Sequence, residues 1–270
     1  MSKIAFIGAG NMNSAIILGL LNSGVNPEHI IVSNPSPEKR EALAKQYGIQ
    51  QTPNNSEAVA FADTVVLGVK PHFISEVCQD LREKTDVSSK CFLSVAAGTP
   101  VAQIQEALGG NAAVVRTMPN TPSQVGLGIT GAYASPQVTE HQKQISENLI
   151  KAVGDIVWLE NESQIDQITA VSGSGPAYYF LFMEAMEKKA IEFGFSAEQS
   201  RLLVQQTALG AATMVAKNDI SISQLRENVT SKGGTTQAAL TSFIEGGLTE
   251  LVEKSMSAAV ARAKEMAQAK

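Results

Sequence analysis

The sequence predicts an α/β protein. A doubly wound, mostly parallel sheet occupies the first 160 residues, and an all-helical domain fills the remainder. Three observations carry this. Short apolar runs alternate with amphipathic stretches up to about residue 160, the signature of repeated βαβ units. A glycine-rich turn, Gly8-Ala9-Gly10, sits between the first apolar run and the first helical pattern. Beyond residue 160 strand patterns stop and long, apolar helical patterns take over.

The elements follow in order. Residues 3–8 are apolar and end in glycine, which reads as a strand; Ile16, Ile17, Leu20 and Leu21 then recur at helical spacing. Ile30-Ile31-Val32 is a second strand. Ser36-Pro37-Glu38 opens a helix with a serine cap and a proline at the first helical position, where its missing N–H costs nothing. The unbroken apolar runs at 64–69 and 91–95 suit strands buried on both faces. Thr99-Pro100 repeats the cap-and-proline start, and residues 113–117 form a further strand. In the second half, residues 176–193 read as one long helix. Ser196 with Gln199 makes a capping box for the next, whose Leu202, Leu203, Leu209 and Val215 make it apolar on most faces and so expected to be buried. Of the adjacent Tyr178 and Tyr179, one is expected in the core. A last, alanine-rich helix spans 247–268. The domains are therefore 1–160 and 161–270. So much apolar helical surface in so short a stretch predicts a homo-oligomer built on the second domain.

Composition narrows the function. The chain has 270 residues, 44% hydrophobic and 17% charged, with a net charge of −5. That length buries a core without disulfides or metal. The acidic balance argues against a nucleic-acid partner, and no apolar run reaches the roughly eighteen residues of a membrane span. Two cysteines, Cys78 and Cys91, and three histidines give no zinc-type spacing. The N-terminus runs directly into a strand, so a cytoplasmic protein is expected.

The glycine turn points to a dinucleotide. Gly8 permits a tight turn, Gly10 lets backbone approach a pyrophosphate, and the following helix N-terminus offers free N–H groups and a positive dipole end. Asn13 stands where the third glycine of this fingerprint belongs, with Ser14 and Ala15 as the small residues nearby. At the end of the second strand, where NAD sites carry an acid, stand Ser33, Asn34 and Ser36, with Lys39 and Arg40 behind them. Those three polar residues can donate hydrogen bonds to a 2′-phosphate, so NADPH is the expected cofactor, with NADH also accepted. Lys39 and Arg40 either share in that or form a solvated helix face. Val69-Lys70-Pro71, Ala96-Ala97-Gly98-Thr99 and Met118-Pro119-Asn120-Thr121-Pro122 end three further strands on the same crevice.

A second signal interrupts the helical half. In Asn228-Val229-Thr230-Ser231-Lys232-Gly233-Gly234-Thr235-Thr236, two glycines between hydroxyl residues break one helix and start another. Free N–H groups of Gly234, Thr235 and Thr236 would make an anion site suited to a substrate carboxylate. A plain helix–helix turn capped by Thr235 or Thr236 fits the same residues.

This stretch, ENVTSKGGTTQAAL, resembles the signature of Δ1-pyrroline-5-carboxylate reductases, as do IAFIGAGNM, the VKP at 69–71, RTMPNTP at 116–122 and SGSGPAY at 172–178. The resemblance spans the whole chain. It implies a Rossmann-like N-terminal domain and a helical dimerisation domain, and reduction of pyrroline-5-carboxylate to L-proline with NAD(P)H, the last step of proline synthesis. It also implies roles. Gly8, Gly10, Asn11 and Met12 hold the pyrophosphate, Ser33 and Asn34 lie by the adenosine ribose, and Asn55 by the adenine. Val69, Lys70, Pro71, Ala97 and Asn120 line the way to the nicotinamide, and Asn228 reaches its ribose. Ser231, Gly234 and Thr235 bind the substrate carboxylate, and Thr236 hydrogen-bonds the ring nitrogen as the candidate catalytic residue. Dimers, and decamers built from them, are implied too. Lys232 departs from relatives that carry proline there, which bears on loop rigidity. Two rivals remain. A β-hydroxyacid dehydrogenase would carry a lysine soon after the SG motif, yet none occurs between Pro176 and Lys188. A non-catalytic NADPH-binding protein would keep the glycine turn without needing the turn at 231–236. Asp219 either caps a helix or tunes the site.

Overall fold

The structure is a computed structural model and describes residues 2–268. The chain divides into two compact units. One comprises the residues up to Ser174 together with those from Ala259 onward; the other is Gly175–Ala258.

The first unit is built on an eight-stranded sheet. Its strands are β1 (Ile4–Ile7), β2 (Ile30–Ser33), β3 (Gln50–Thr52), β4 (Thr64–Leu67), β5 (Cys91–Ser94), β6 (Ala113–Met118), β7 (Gly128–Ala134) and β8 (Gly154–Trp158). They lie in the order β3-β2-β1-β4-β5-β6-β7-β8, and every pairing is parallel except β6 with β7. The chain runs outward from β1 to β3, then returns to the other side of β1 as β4. The carboxyl ends of β1 and β4 therefore flank the switch point where such sheets open a crevice.

Alternation on β1 explains the two-layered core. Ala5 and Ile7 join Val65, Leu67, Phe92, Ile74 and Leu81 on one face. Ile4 and Phe6 join Ile16, Ile17, Leu20, Val66 and Leu93 on the other. Successive strand residues point to opposite faces, so a strand buried on both reads as one apolar run. The covering helices are α1 (Asn11–Asn22), α2 (Pro37–Tyr47), α3 (Asn55–Phe61), α4 (Ile74–Lys84), α5 (Val101–Ala107), α6 (Glu140–Lys151) and the short α7 (Gln164–Ile168). A single π-helical turn, Thr169–Gly173, follows α7.

Two expected caps form differently. The Ser36 hydroxyl is engaged by the Glu38 carboxylate and leaves the helical N–H groups alone. At Thr99-Pro100 the helix starts one residue later, at Val101. Its first N–H is capped from a distance by Glu162 Oε1 at 2.7 Å.

The second unit holds α8 (Gly175–Glu192), α9 (Ala197–Lys217), α10 (Ile222–Asn228), α11 (Thr235–Glu245) and the start of α12 (Leu248–Gln268). The Ser196–Gln199 capping box forms as read. Its helices are not buried on most faces, however. On α9 only Ser200 and Val204 are buried, while Leu202, Leu203, Leu209 and Val215 are exposed. Neither tyrosine is in the core, with Tyr178 36% and Tyr179 73% exposed. Within one protomer these helices have too few partners to cover their apolar sides. No helix among the described residues is long and apolar enough to cross a membrane.

Candidate cofactor and substrate site

The glycine turn lies at the switch point of the first unit. Gly8 takes φ +97°, and a Cβ there would stand 2.8 Å from the Gly68 carbonyl oxygen at the end of β4. Its N–H binds the Ser33 carbonyl at 2.7 Å, tying the turn to the end of β2. Gly8 is thus required by the chain itself.

Gly10 differs. It is the N-cap of α1 at φ −80°, where any residue is comfortable, and an added Cβ would meet only the Gly68 oxygen at 3.7 Å. Nothing in the protein demands glycine there. What its missing side chain leaves open is the approach to the α1 N-terminus, which no side chain caps. Open backbone above uncapped N–H groups is the arrangement a phosphate needs.

The end of β2 frames the adjoining loop. Ser33 Oγ donates to Asn55 Oδ1 at 2.7 Å. Asn34 accepts from the Ala9 N–H at 3.2 Å and donates to the Ser36 carbonyl at 3.0 Å. With Ser36 held by Glu38, the three donors expected for a 2′-phosphate are all engaged within the chain. The Ser36 hydroxyl beside Glu38 also holds that carboxyl below its usual range. Arg40 is no solvated helix residue. Its Nη1 donates to the carbonyls of Asn34 and Pro35 at 3.1 and 3.2 Å, and its Nε to Gln51 at 2.7 Å. Lys39 is exposed.

The other strand ends lie on this unit as read. Val69 and Ala97 are half-buried, while Lys70 and Pro71 are exposed. Asn120 is buried, and both ends of its amide are spent. It donates to the Ser172 carbonyl at 3.1 Å and accepts from the Ile129 N–H at 3.0 Å, joining β7 to the π-helical turn. Buried Arg116 pairs with Glu162 at 2.8 Å, and the same carboxylate oxygen caps α5. Sequence reading missed Glu162, and it also missed how Asn13 is used: its side chain is buried against the turn.

The second candidate site lies in the second unit. Gly233 takes φ +72°, and Gly234 is the N-cap of α11 at φ −82°, ψ 171°. The Gly10 cap of α1 has nearly the same backbone, φ −80°, ψ 170°. A Cβ on Gly234 would fall on the Ser231 hydroxyl. Neither Thr235 nor Thr236 caps the helix, because both are already helical. One expected donor is lost, since the Gly234 N–H binds the Ser231 carbonyl at 3.0 Å. Gln237 reaches back to the Gly233 N–H. The N–H groups of Thr235 and Thr236, and the hydroxyls of Ser231 and Thr236, have no partner among the described residues. Asn228 is exposed and accepts from Gln224 at 3.0 Å. Asp219 caps no helix among the described residues, the C-cap of α9 being Asn218 and the N-cap of α10 Ser221.

Comparison with known proteins decides the family. The chain is 50% identical to the pyrroline-5-carboxylate reductase of Vibrio alginolyticus, over 98% of this chain and 97% of that one. The chain belongs to the pyrroline-5-carboxylate reductase family. Residues 162–266 match the family model described as pyrroline-5-carboxylate reductase dimerisation, and residues 3–98 match that of the coenzyme F420-dependent NADP oxidoreductases. Among solved structures, the reductase of Coxiella burnetii has a TM-score of 0.94 at 43% identity, covering 98% of both chains. The Plasmodium falciparum enzyme with NADP bound has a TM-score of 0.87 at 30% identity, again over 98% of each. Membership in the reductase family accounts for the bare helices of the second unit, which fall within the dimerisation match.

Proposed function

We propose that the chain reduces 1-pyrroline-5-carboxylate to L-proline with NADPH, NADH also being accepted, as the last step of proline biosynthesis in the cytoplasm. The whole-chain relationship to the Vibrio reductase carries this reading. The site fits the cofactor on its own terms: the open face at Gly10 and the uncapped start of α1 suit a pyrophosphate.

Gly8, Gly10, Asn11 and Met12 hold the pyrophosphate. Ser33 and Asn34 frame the adenosine ribose, and Asn55 the adenine. Val69, Lys70, Pro71, Ala97 and Asn120 shape the nicotinamide end, and Asn228 serves the nicotinamide ribose. When bound, the cofactor supplies a hydride.

Ser231, Thr235 and the cap at Gly234 hold the substrate carboxylate, through the free N–H groups and hydroxyl of the turn. Thr236 orients the ring nitrogen. A protonated imine is already an electrophile, and its reduction neutralises charge without creating an alkoxide, so no strong acid is demanded beside the reacting carbon. A neutral hydroxyl is a poor acid, so Thr236 acts by position and solvent supplies the proton. Orientation is the main work of the site. Residues 1–160 serve the cofactor, and residues 161–270 serve the substrate and self-association. The assembly is a dimer, with decamers as its higher form.

A panel of substrates tests this. NADPH consumption with pyrroline-5-carboxylate and none with 3-oxo acids, the oxidised partners of β-hydroxyacids, supports it. Consumption by the 3-oxo acids alone, or NADPH binding without turnover, overturns it. Lys188, the first lysine after the SG motif, is paired with Glu184 on the surface of α8.

A further inference from the structure

We propose that Asn13, packed on Gly68, is a positioning residue that takes over the work of the missing third glycine and sets the cofactor-binding turn. This rests on the dinucleotide reading of the Gly8–Gly10 turn. The third glycine of such a turn serves close packing between helix and strand. Here the chain keeps a side chain at that place and removes the one opposite.

Asn13 is 1% exposed in the first turn of α1. Its Nδ2 donates to the Gly8 carbonyl at 2.7 Å and to the Ile7 carbonyl at 3.3 Å. The Ile7 carbonyl also accepts the Gly68 N–H at 2.9 Å. One amide thus ties the start of α1 to the end of β1 at the point where β4 also binds. The amide's orientation is set by this pattern. Turned over, its oxygen would face two carbonyl oxygens. Its Oδ1 has no partner among the described residues. A buried acceptor left unpaired is costly, so the two donated bonds must outweigh it.

Gly68 supplies the space. A Cβ there would fall on Asn13 Cγ, Oδ1 and Nδ2 alike, so the amide occupies the space a side chain at Gly68 would need. The Gly68 oxygen is in turn the atom that a Cβ at Gly8 would strike. Asn13, Gly68 and Gly8 therefore form one packed unit. The donated bonds hold the Gly8 carbonyl, and that sets the aim of the N–H groups that follow it.

The test measures kcat, both KM values and melting temperature for wild type, Asn13→Ala, Gly68→Ala and the double variant. Asn13→Ala should raise KM for NADPH about tenfold, the scale of losing such bonds, with kcat and substrate KM within about twofold. Gly68→Ala should raise it further, and removing the amide in the double variant should bring it back to the Asn13→Ala level. A lower melting temperature with unchanged KM would make Asn13 a packing residue only and overturn the proposal. So would a Gly68→Ala defect that the double variant does not relieve. A wild-type chain that neither binds nor oxidises NADPH would instead refute the underlying cofactor reading.

Discussion

Gly8 and Gly10 stand two residues apart, yet the structure gives them separable roles. Alanine at Gly8 must adopt φ +97°, at a cost of about 1–2 kcal/mol. Its Cβ would also press on the Gly68 oxygen at 2.8 Å, displacing backbone at the end of β4 for about another 1–2 kcal/mol. Together these give about 3 kcal/mol, or a melting temperature lower by roughly 6–12 °C for a chain of this size. Alanine at Gly10 meets no strain at φ −80° and no contact closer than 3.7 Å. Only its poorer capping preference counts, about 1 kcal/mol or less. Its methyl group, however, occupies the face left open for the pyrophosphate, so NADPH affinity should fall at least about tenfold, ~1.4 kcal/mol. Thermal melts and NADPH fluorescence titrations of both variants read the two effects apart. Wild-type NADPH affinity in Gly10→Ala, or equal melting temperatures in the two variants, would refute the reasoning.

Three further outcomes are expected. Thr236→Ala should lower kcat by about tenfold, the worth of one orienting hydrogen bond, while the NADPH dissociation constant stays within about twofold; unchanged turnover removes Thr236 from the reaction. Light scattering at micromolar concentration should show a dimer or larger, because Tyr179, Phe180 and Leu181 lie bare on α8, and a monodisperse monomer contradicts this. Burial pushes the Cys78 thiol up to about 12 and the Cys91 thiol up to about 11. Their folded values exceed the unfolded one, so this stability is fully present below about pH 8.5 and is lost as pH rises toward those values, by about 1.4 kcal/mol per thiol per pH unit. A thiol reagent at neutral pH should find neither cysteine in the native protein and both in denaturant, and fast native labelling of either would contradict the burial.

The parts of the fold visible in the sequence were those set by local pattern. Strands β1, β4 and β5 are buried on both faces and so appear as unbroken apolar runs. Strand β7 contains two glycines, β8 is only half-buried, and β3 has three residues, so none of them carries such a pattern. The cap of α5 escaped because it comes from Glu162, 61 residues away. The site divides in the same way. Gly8 and Gly233 were legible because their left-handed backbone leaves a mark on residue type, and Gly10 and Gly234 because each stands at the start of a helix in a glycine-rich turn. The engaged donors at Ser33, Asn34 and Ser36 were not, because which partner a polar side chain finds depends on the fold. Asn13 read as a gap in a fingerprint; only its contact with Gly68, 55 positions on, shows its use.

The most direct measurement follows product and cofactor together. The purified chain, given pyrroline-5-carboxylate and NADPH, should form one L-proline for each NADPH oxidised, measured by chiral chromatography and absorbance in the same sample. NADPH left unspent above an enzyme-free control, or oxidised without proline appearing, would contradict the account.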